Sequence, residues 1–168
     1  MPDAREVYRE KPSQDEIDDV LRQRVAAAVG TTNEDGSVHL AYVIFLREDG
    51  RLYFETSSTT RKARNVARNG SASMLVQGTA ASGRHLMVAA EGEARVLDGS
   101  AASEVNRRLR AKYIRPEALD AVDRAWSGFD DVAIEVFPAR WRSWTGGLLH
   151  AETERELGIP YDDAWIED

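Results

Sequence analysis

The most apolar stretch of the chain, Ser37 to Arg47 (SVHLAYVIFLR), alternates without leaving either face polar. Val38, Leu40, Tyr42, Ile44 and Leu46 fall on one side of an extended strand, and His39, Ala41, Val43 and Phe45 on the other. Such a strand needs cover on both sides, a barrel interior on one and a partner or flat ligand on the other. The flanking patterns predict the remaining elements. Ser13-Gln14-Asp15-Glu16 fits a capping box, and Ile17, Val20 and Leu21 repeat at helical spacing, which predicts a helix over 13–23. Arg24 to Thr32 reads as a strand of small apolar residues, and residues 33–36 turn it into the strand at 37–47. Glu48-Asp49-Gly50 closes a hairpin into a strand over 51–56, where Leu52 and Phe54 alternate with Tyr53 and Glu55.

After Thr60 a short helix buries Ala63, Val66 and Ala67, turns Arg64 and Arg68 to solvent, and stops at Asn69-Gly70. Ala72 to Gln77 is a short strand and His85 to Leu97 a long one, with Gly92 marking a bulge. Ala102, Val105, Leu109 and Tyr113 share a helical face, and Pro116 opens another helix with Leu119, Val122 and Trp126 aligned. Asp131–Phe137 and Arg140–Thr145 read as two more strands, the second with Trp141 and Trp144 on opposite faces, and Gly146-Gly147 ends the body. Six or seven strands with helices inserted singly predict an α+β fold, mainly β: an antiparallel barrel with inserted helices. Residues 1–150 are expected to form that domain and residues 151–168 an acidic C-terminal tail.

Composition narrows the chemistry. A chain of 168 residues fits one domain, of a size that buries about two-thirds of its unfolded surface. There is no cysteine, so no disulfide framework, thiolate metal site or cysteine nucleophile is available. No apolar run approaches the ~18–20 residues that span a bilayer, and the polar start is no signal peptide. The expected location is cytoplasmic, with no membrane partner. The net charge of −7 is concentrated in residues 151–168, where seven acids face Arg155 alone. The body is close to neutral, which argues against a nucleic-acid partner. The tail is either a solubilising end or, through Tyr161 and Trp165, a lid over a partner's groove.

No nucleophile elbow, phosphate-binding glycine loop, dinucleotide fingerprint or zinc spacing is present. His39, His85 and His150 are far apart and read as structural or surface residues, with haem ligation by His39 or His150 as the alternative. Without acid–base machinery, the enzyme to expect is one whose cofactor does the chemistry. One segment has the right chemistry for binding such a group. The strand ending at Thr56 is followed by Ser57, Ser58, Thr59 and Thr60, and a helix then opens on Arg61 and Lys62. A hydroxyl at the cap accepts one backbone N–H. The remaining N–H groups carry partial positive charge, and a guanidinium and an ammonium complete a place for a phosphate monoester. Two readings stand: the phosphate site of a flavin-type cofactor, or a solvated basic helix after an ordinary turn.

The order of elements and the segment FETSSTTRKARNVARNGSASMLVQG resemble the pyridoxamine 5′-phosphate oxidase-like split β-barrel proteins, which bind FMN or the 8-hydroxy-5-deazaflavin coenzyme F-420. Phe54, Thr56, Thr60, Arg61, Lys62 and Asn69 fall in the family's places, and the likeness covers about residues 24–145. The resemblance implies a split barrel that forms a homodimer, with a cofactor in each groove between the subunits. The phosphate would lie against Ser58, Thr60, Arg61 and Lys62. The ring would lie along the backbone of Tyr42, Val43, Ile44 and Phe45 and on Thr56, with Met87, Trp141 and Trp144 as candidates for the far wall. The implied activity is hydride transfer between the cofactor and a small unsaturated or heteroaromatic substrate. Three departures argue against vitamin B6 oxidation. Leu40 and Phe45 stand where the oxidase has Arg and Lys, Met87 or a neighbour replaces a flavin-contacting Gln, and the Arg-rich C-terminal substrate signature is missing. The apolar groove is more like the deazaflavin branch. The alternatives are a flavin-binding or sensing protein without turnover and a haem-binding relative.

Overall fold

Period-two alternation becomes a seven-stranded antiparallel sheet that curls into a split half-barrel, ordered β2-β1-β5-β6-β7-β4-β3. The computed structural model describes residues 11–126, 130–145 and 147–164. The strands are β1 (Ala26–Thr32), β2 (Val38–Ile44), β3 (Leu46–Glu48), β4 (Arg51–Ser57), β5 (Ser71–Thr79), β6 (His85–Leu97) and β7 (Asp131–Thr145). The helices are α1 (Gln14–Arg22), α2 (Arg61–Asn69), α3 (Gly99–Tyr113), α4 (Pro116–Trp126) and α5 (Gly147–Leu157). The expected α+β, mainly β architecture is what the chain adopts. Its core gathers Leu21 from α1, Val29, Phe45, Phe54, Met74, Val88 and Ile134 from the barrel wall, and Val66 from α2. Burying each such side chain contributes about 1.5–3 kcal/mol.

The stretch 37–47 is not one strand. Its ladder stops at Ile44, where β2 leaves β1, and resumes at Leu46, where β3 joins β4. One continuous segment therefore supplies both edges of the sheet, and Phe45 sits at the crossing with its side chain fully buried. A backbone unit between two ladders needs partners of its own. The Phe45 N–H donates to the Tyr113 hydroxyl at 3.2 Å, and that hydroxyl lies 2.9 Å from the Phe45 carbonyl and 3.0 Å from that of Val25. Lys112 Nζ donates to the carbonyls of Phe45 (3.2 Å) and Leu21 (3.3 Å). The end of α3 thus fixes the corner of the barrel.

The two strands expected at 131–137 and 140–145 are one, β7, bent at a bulge. Glu91 pairs with Arg140 and Gly92 with Pro138, so Ala139 is the extra residue. Proline is tolerated at such a point because no ladder N–H is required. Gly92 is required opposite it, since a Cβ there would lie 1.9 Å from the Phe137 carbonyl oxygen. Residues 147–157 continue as α5 beyond the expected end of the body. The lid reading falls on Tyr161 and Trp165, whose side chains lie outside the described residues.

Arg110 ties the inserted helices to the barrel. It donates to Glu55 at 3.0 Å from Nε, and pairs with Asp123 and Asp131, each at 3.0 Å, under the Trp126 ring at 5.0 Å. Burial raises the Glu55 pKa against the pull of Arg110.

Replacing Tyr113 by Phe leaves the Phe45 N–H without its partner, while the carbonyl keeps Lys112, and is expected to cost about 1–3 kcal/mol in urea unfolding. Unchanged stability would mean that the crossing is held elsewhere.

Candidate functional site

The end of β4 positions the hydroxyl-rich turn. Thr56 is buried, and its Oγ1 lies 2.9 Å from that of Thr60. The Thr60 hydroxyl also reaches the Ser57 carbonyl at 2.9 Å and accepts the Ala63 N–H at 3.4 Å, which makes it the N-cap of α2. Ser57 and Thr59 share a hydrogen bond of 2.9 Å, and the Ser58 N–H donates to the Asp130 carbonyl at 3.0 Å. Most of the hydroxyls therefore shape the turn, and the exposed Ser58 side chain is left facing outward.

Helix α2 is fixed along its length. Ala63 and Val66 enter the core. Asn65 is buried where the sequence pattern put Ala67, and it donates to Thr31 Oγ1 and Asn33 Oδ1, both at 3.0 Å. Ala67 is exposed. Arg68 is exposed, as expected, and its guanidinium donates to the Thr32 carbonyl at 2.8 Å, beside Asn69 at 2.7 Å. Gly70 ends the helix in a left-handed conformation, φ 62°, with its N–H on the Val66 carbonyl.

The N-terminus of α2 is positively charged, and Asp35 offsets Arg61 across the turn. Its first turn contains no acidic residue. Among the described residues, no acceptor meets the backbone N–H of Arg61 or Lys62. Lys62 is half-buried, and burial alone pushes its pKa below the ordinary lysine value; no carboxylate among the described residues pairs with it. Arg61 is exposed and lies with Arg64, Arg68, Asn33 and Asp35 around an open cavity of about 450 Å³.

A second feature lies on β2. Val38, Leu40 and Tyr42 are 67%, 69% and 81% exposed. This apolar face continues across Ala28 and Gly30 of β1, Leu75 of β5, Ala89 of β6 and Trp144 of β7, around a cavity of about 440 Å³. Met87 pairs with Trp144 in the ladder and shares that face. The sites named from sequence thus form two groups, the turn residues Thr56, Ser58, Thr60, Arg61 and Lys62, and the sheet-face residues Tyr42, Ile44, Met87 and Trp144. Val43 and Phe45 turn their side chains into the core, so they offer a ligand backbone alone. Trp141 lies on the opposite face of β7, in a cavity of about 340 Å³ with Ile17, Leu21 and Val88, where the Arg47 guanidinium sits 5.9 Å from its ring.

The histidines are not gathered. His39 pairs with Thr31 in the β1–β2 ladder. The His85 ring nitrogens lie 2.7 Å from Gln77 Nε2 and 3.2 Å from Thr79 Oγ1. The side chain of His150 lies outside the described residues. No group of three His, Cys, Asp or Glu side chains among the described residues could hold a metal ion. No helix among them is long and apolar enough to cross a membrane. Lys112 and Tyr113 were missed as positioning groups. Lysine's rarity, three in the chain, was the available signal for Lys112.

A family model described as pyridoxamine 5′-phosphate oxidase matches residues 13–145. The chain belongs to that family. Among solved structures of the same fold, the conserved hypothetical protein Rv2991 of Mycobacterium tuberculosis is 25% identical, with a TM-score of 0.67 and 89% of each chain covered. A putative pyridoxamine 5′-phosphate oxidase of Listeria innocua is 18% identical, TM-score 0.58, covering 77% of this chain and 95% of that one. A structure titled F420 reductase is 21% identical, TM-score 0.55, covering 78% and 98%. No curated protein matches the chain.

Within this family member the Thr60 cap is a local determinant of where α2 begins. Thr60→Ala is expected to cost about 0.5–2 kcal/mol, read as a lowered thermal midpoint. An unchanged midpoint would show that the cap bond contributes nothing.

Proposed function

We propose that the chain is an oxidoreductase that uses FMN or the deazaflavin coenzyme F-420 to transfer a hydride to or from a small organic substrate. In this reading it acts as a homodimer with the cofactor at the interface. The observation that carries the proposal is Lys62: a half-buried cation at a helix N-terminus, with no carboxylate among the described residues paired with it. Desolvating a cation is unfavourable unless an anion returns the interaction. A phosphate monoester supplies two charges and the acceptors that the free N–H groups need. The residues present fit that group, with Lys62 and the Arg61 and Lys62 N–H groups as anchor and Ser58 and Arg61 at the rim.

The apolar face of β2 supports the rest. Contiguous exposure of Val38, Leu40, Tyr42 and Leu75, running on to the partly buried Trp144, supports a surface that another body covers. A second copy of the chain closes it, and a flat ring takes the remaining space along the β2 backbone. Met87 and Trp144 are the wall candidates. Trp141, on the other face, drops out of that role. The cofactor, when bound, supplies the hydride chemistry; the chain anchors the phosphate, orients the ring and excludes water. Leu40 lies on the exposed face and Phe45 is buried at the barrel corner, so neither replaces the phosphate-binding side chains of the vitamin B6 oxidase. The similarity to the structure titled F420 reductase supports the fold half of this reading.

Titration with FMN and F-420 side by side tests it. One of the two is expected to bind, as a complex that sediments as two chains. Lys62→Ala should weaken that binding several-fold to a few hundred-fold, about 1–3 kcal/mol for a charge-assisted contact. Equal affinity of the variant and the parent would contradict the phosphate assignment.

A further inference from the structure

Lys112 ends in an unusual environment for a lysine. Its Nζ donates to the carbonyls of Leu21 and Phe45 at 3.3 and 3.2 Å. The rings of Phe45 and Tyr113 lie 4.1 and 5.1 Å from it. Among the described residues no carboxylate pairs with it, and burial is the sole cause that pushes its pKa down to about 8. A neutral amine has two N–H donors and one lone pair, whereas an ammonium has three donors and none. Two carbonyls satisfy both donors of the neutral form, and among the described residues the third N–H of the charged form has only the aromatic rings of Phe45 and Tyr113 to face.

Beside this amine opens a cavity of about 320 Å³, which Lys112 lines with Leu21, Arg22, Leu46, Arg47 and Asp49. Its charged members are largely committed elsewhere. Arg47 pairs with Asp18 at 2.6 Å, and the neighbouring Glu48 with Arg108 at 3.0 Å. Arg22 and Asp49 are exposed and of opposite sign. None of the lining residues belongs to the groups assembled for the cofactor.

We propose that Lys112 is a covalent modification site, a free amine that condenses with small aldehydes entering this cavity. The nitrogen lone pair attacks the carbonyl carbon to give a carbinolamine. Both N–H protons then leave with the former carbonyl oxygen as water, and a C=N bond remains. The Phe45 carbonyl keeps the Tyr113 hydroxyl at 2.9 Å when it loses the amine. Leu21 lines the cavity, where water takes the place of the lost donor.

The chain suits a direct test, because Lys11, Lys62 and Lys112 are its three lysines. The full chain is treated with acetaldehyde and cyanoborohydride across pH 6–10, and alkylation at each lysine is followed by peptide mass mapping. Lys112 is expected to react several-fold faster than the exposed Lys11 at pH 7, with its rate half-maximal at about pH 8. A Lys112 rate equal to or below that of Lys11, or a half-maximum in the ordinary lysine range, would overturn the proposal.

Discussion

The barrel depends on a single backbone crossing. Because β2 and β3 are successive parts of one segment, the chain itself joins the two edges of the sheet at Phe45. Neither ladder satisfies the peptide groups there, and the Phe45 side chain is fully buried. The Tyr113 hydroxyl and the Lys112 amine take over that role. One consequence is that α3 is bound to the barrel at its C-terminal end by polar contacts and farther up by the Arg110 network. The other is that β2 remains an edge strand near β4 without pairing to it, with its outer face uncovered.

That geometry gathers two kinds of unsatisfied surface in one chain. Much of the arginine charge is paired: Arg51 and Arg95 both reach Glu135, Arg47 reaches Asp18, and Arg107 and Arg110 share Asp123. The chain as a whole has an excess of acid. Against that background, a half-buried Lys62 with no carboxylate partner among the described residues is an electrostatic deficit that an external anion would fill. The apolar β2 face is the corresponding hydrophobic deficit. The proposed ligand, with a phosphate at one end and a flat conjugated ring, bound beside a second copy of the chain, would address both together.

Much of this was readable from residue order. The capping box at Ser13, the Thr60 cap, the Gly70 stop and the Gly92 bulge are local features, and each formed where its residues indicated. The two apolar faces of 37–47 were equally visible. What could not be read was non-local. Phe45 continues the alternation perfectly, and nothing nearby signals that β2 ends there, because the break is stabilised by a tyrosine 68 residues away. The strands read at 131–137 and 140–145 are continuous because a bulge absorbs Pro138 and Ala139 opposite Gly92, a pairing set by β6. In α2, Asn65 displaced Ala67 from the interior because Thr31 and Asn33 satisfy its amide. Trp141 and Trp144 were rightly placed on opposite faces, but which face met which cavity depended on the sheet order.

The central claim is that Lys62 is a cation prepared for an anionic ligand. Its protonation can be followed directly by NMR, with ¹³C-labelled lysine and assignment of the three ε-carbons. In the free protein Lys62 should titrate below the ordinary lysine range, because burial opposes its charge. Saturation with whichever of FMN or F-420 binds should move that titration upward, as the phosphate stabilises the ammonium. If the Lys62 titration is the same with and without bound cofactor, the anion does not dock there, and the account is wrong at its centre.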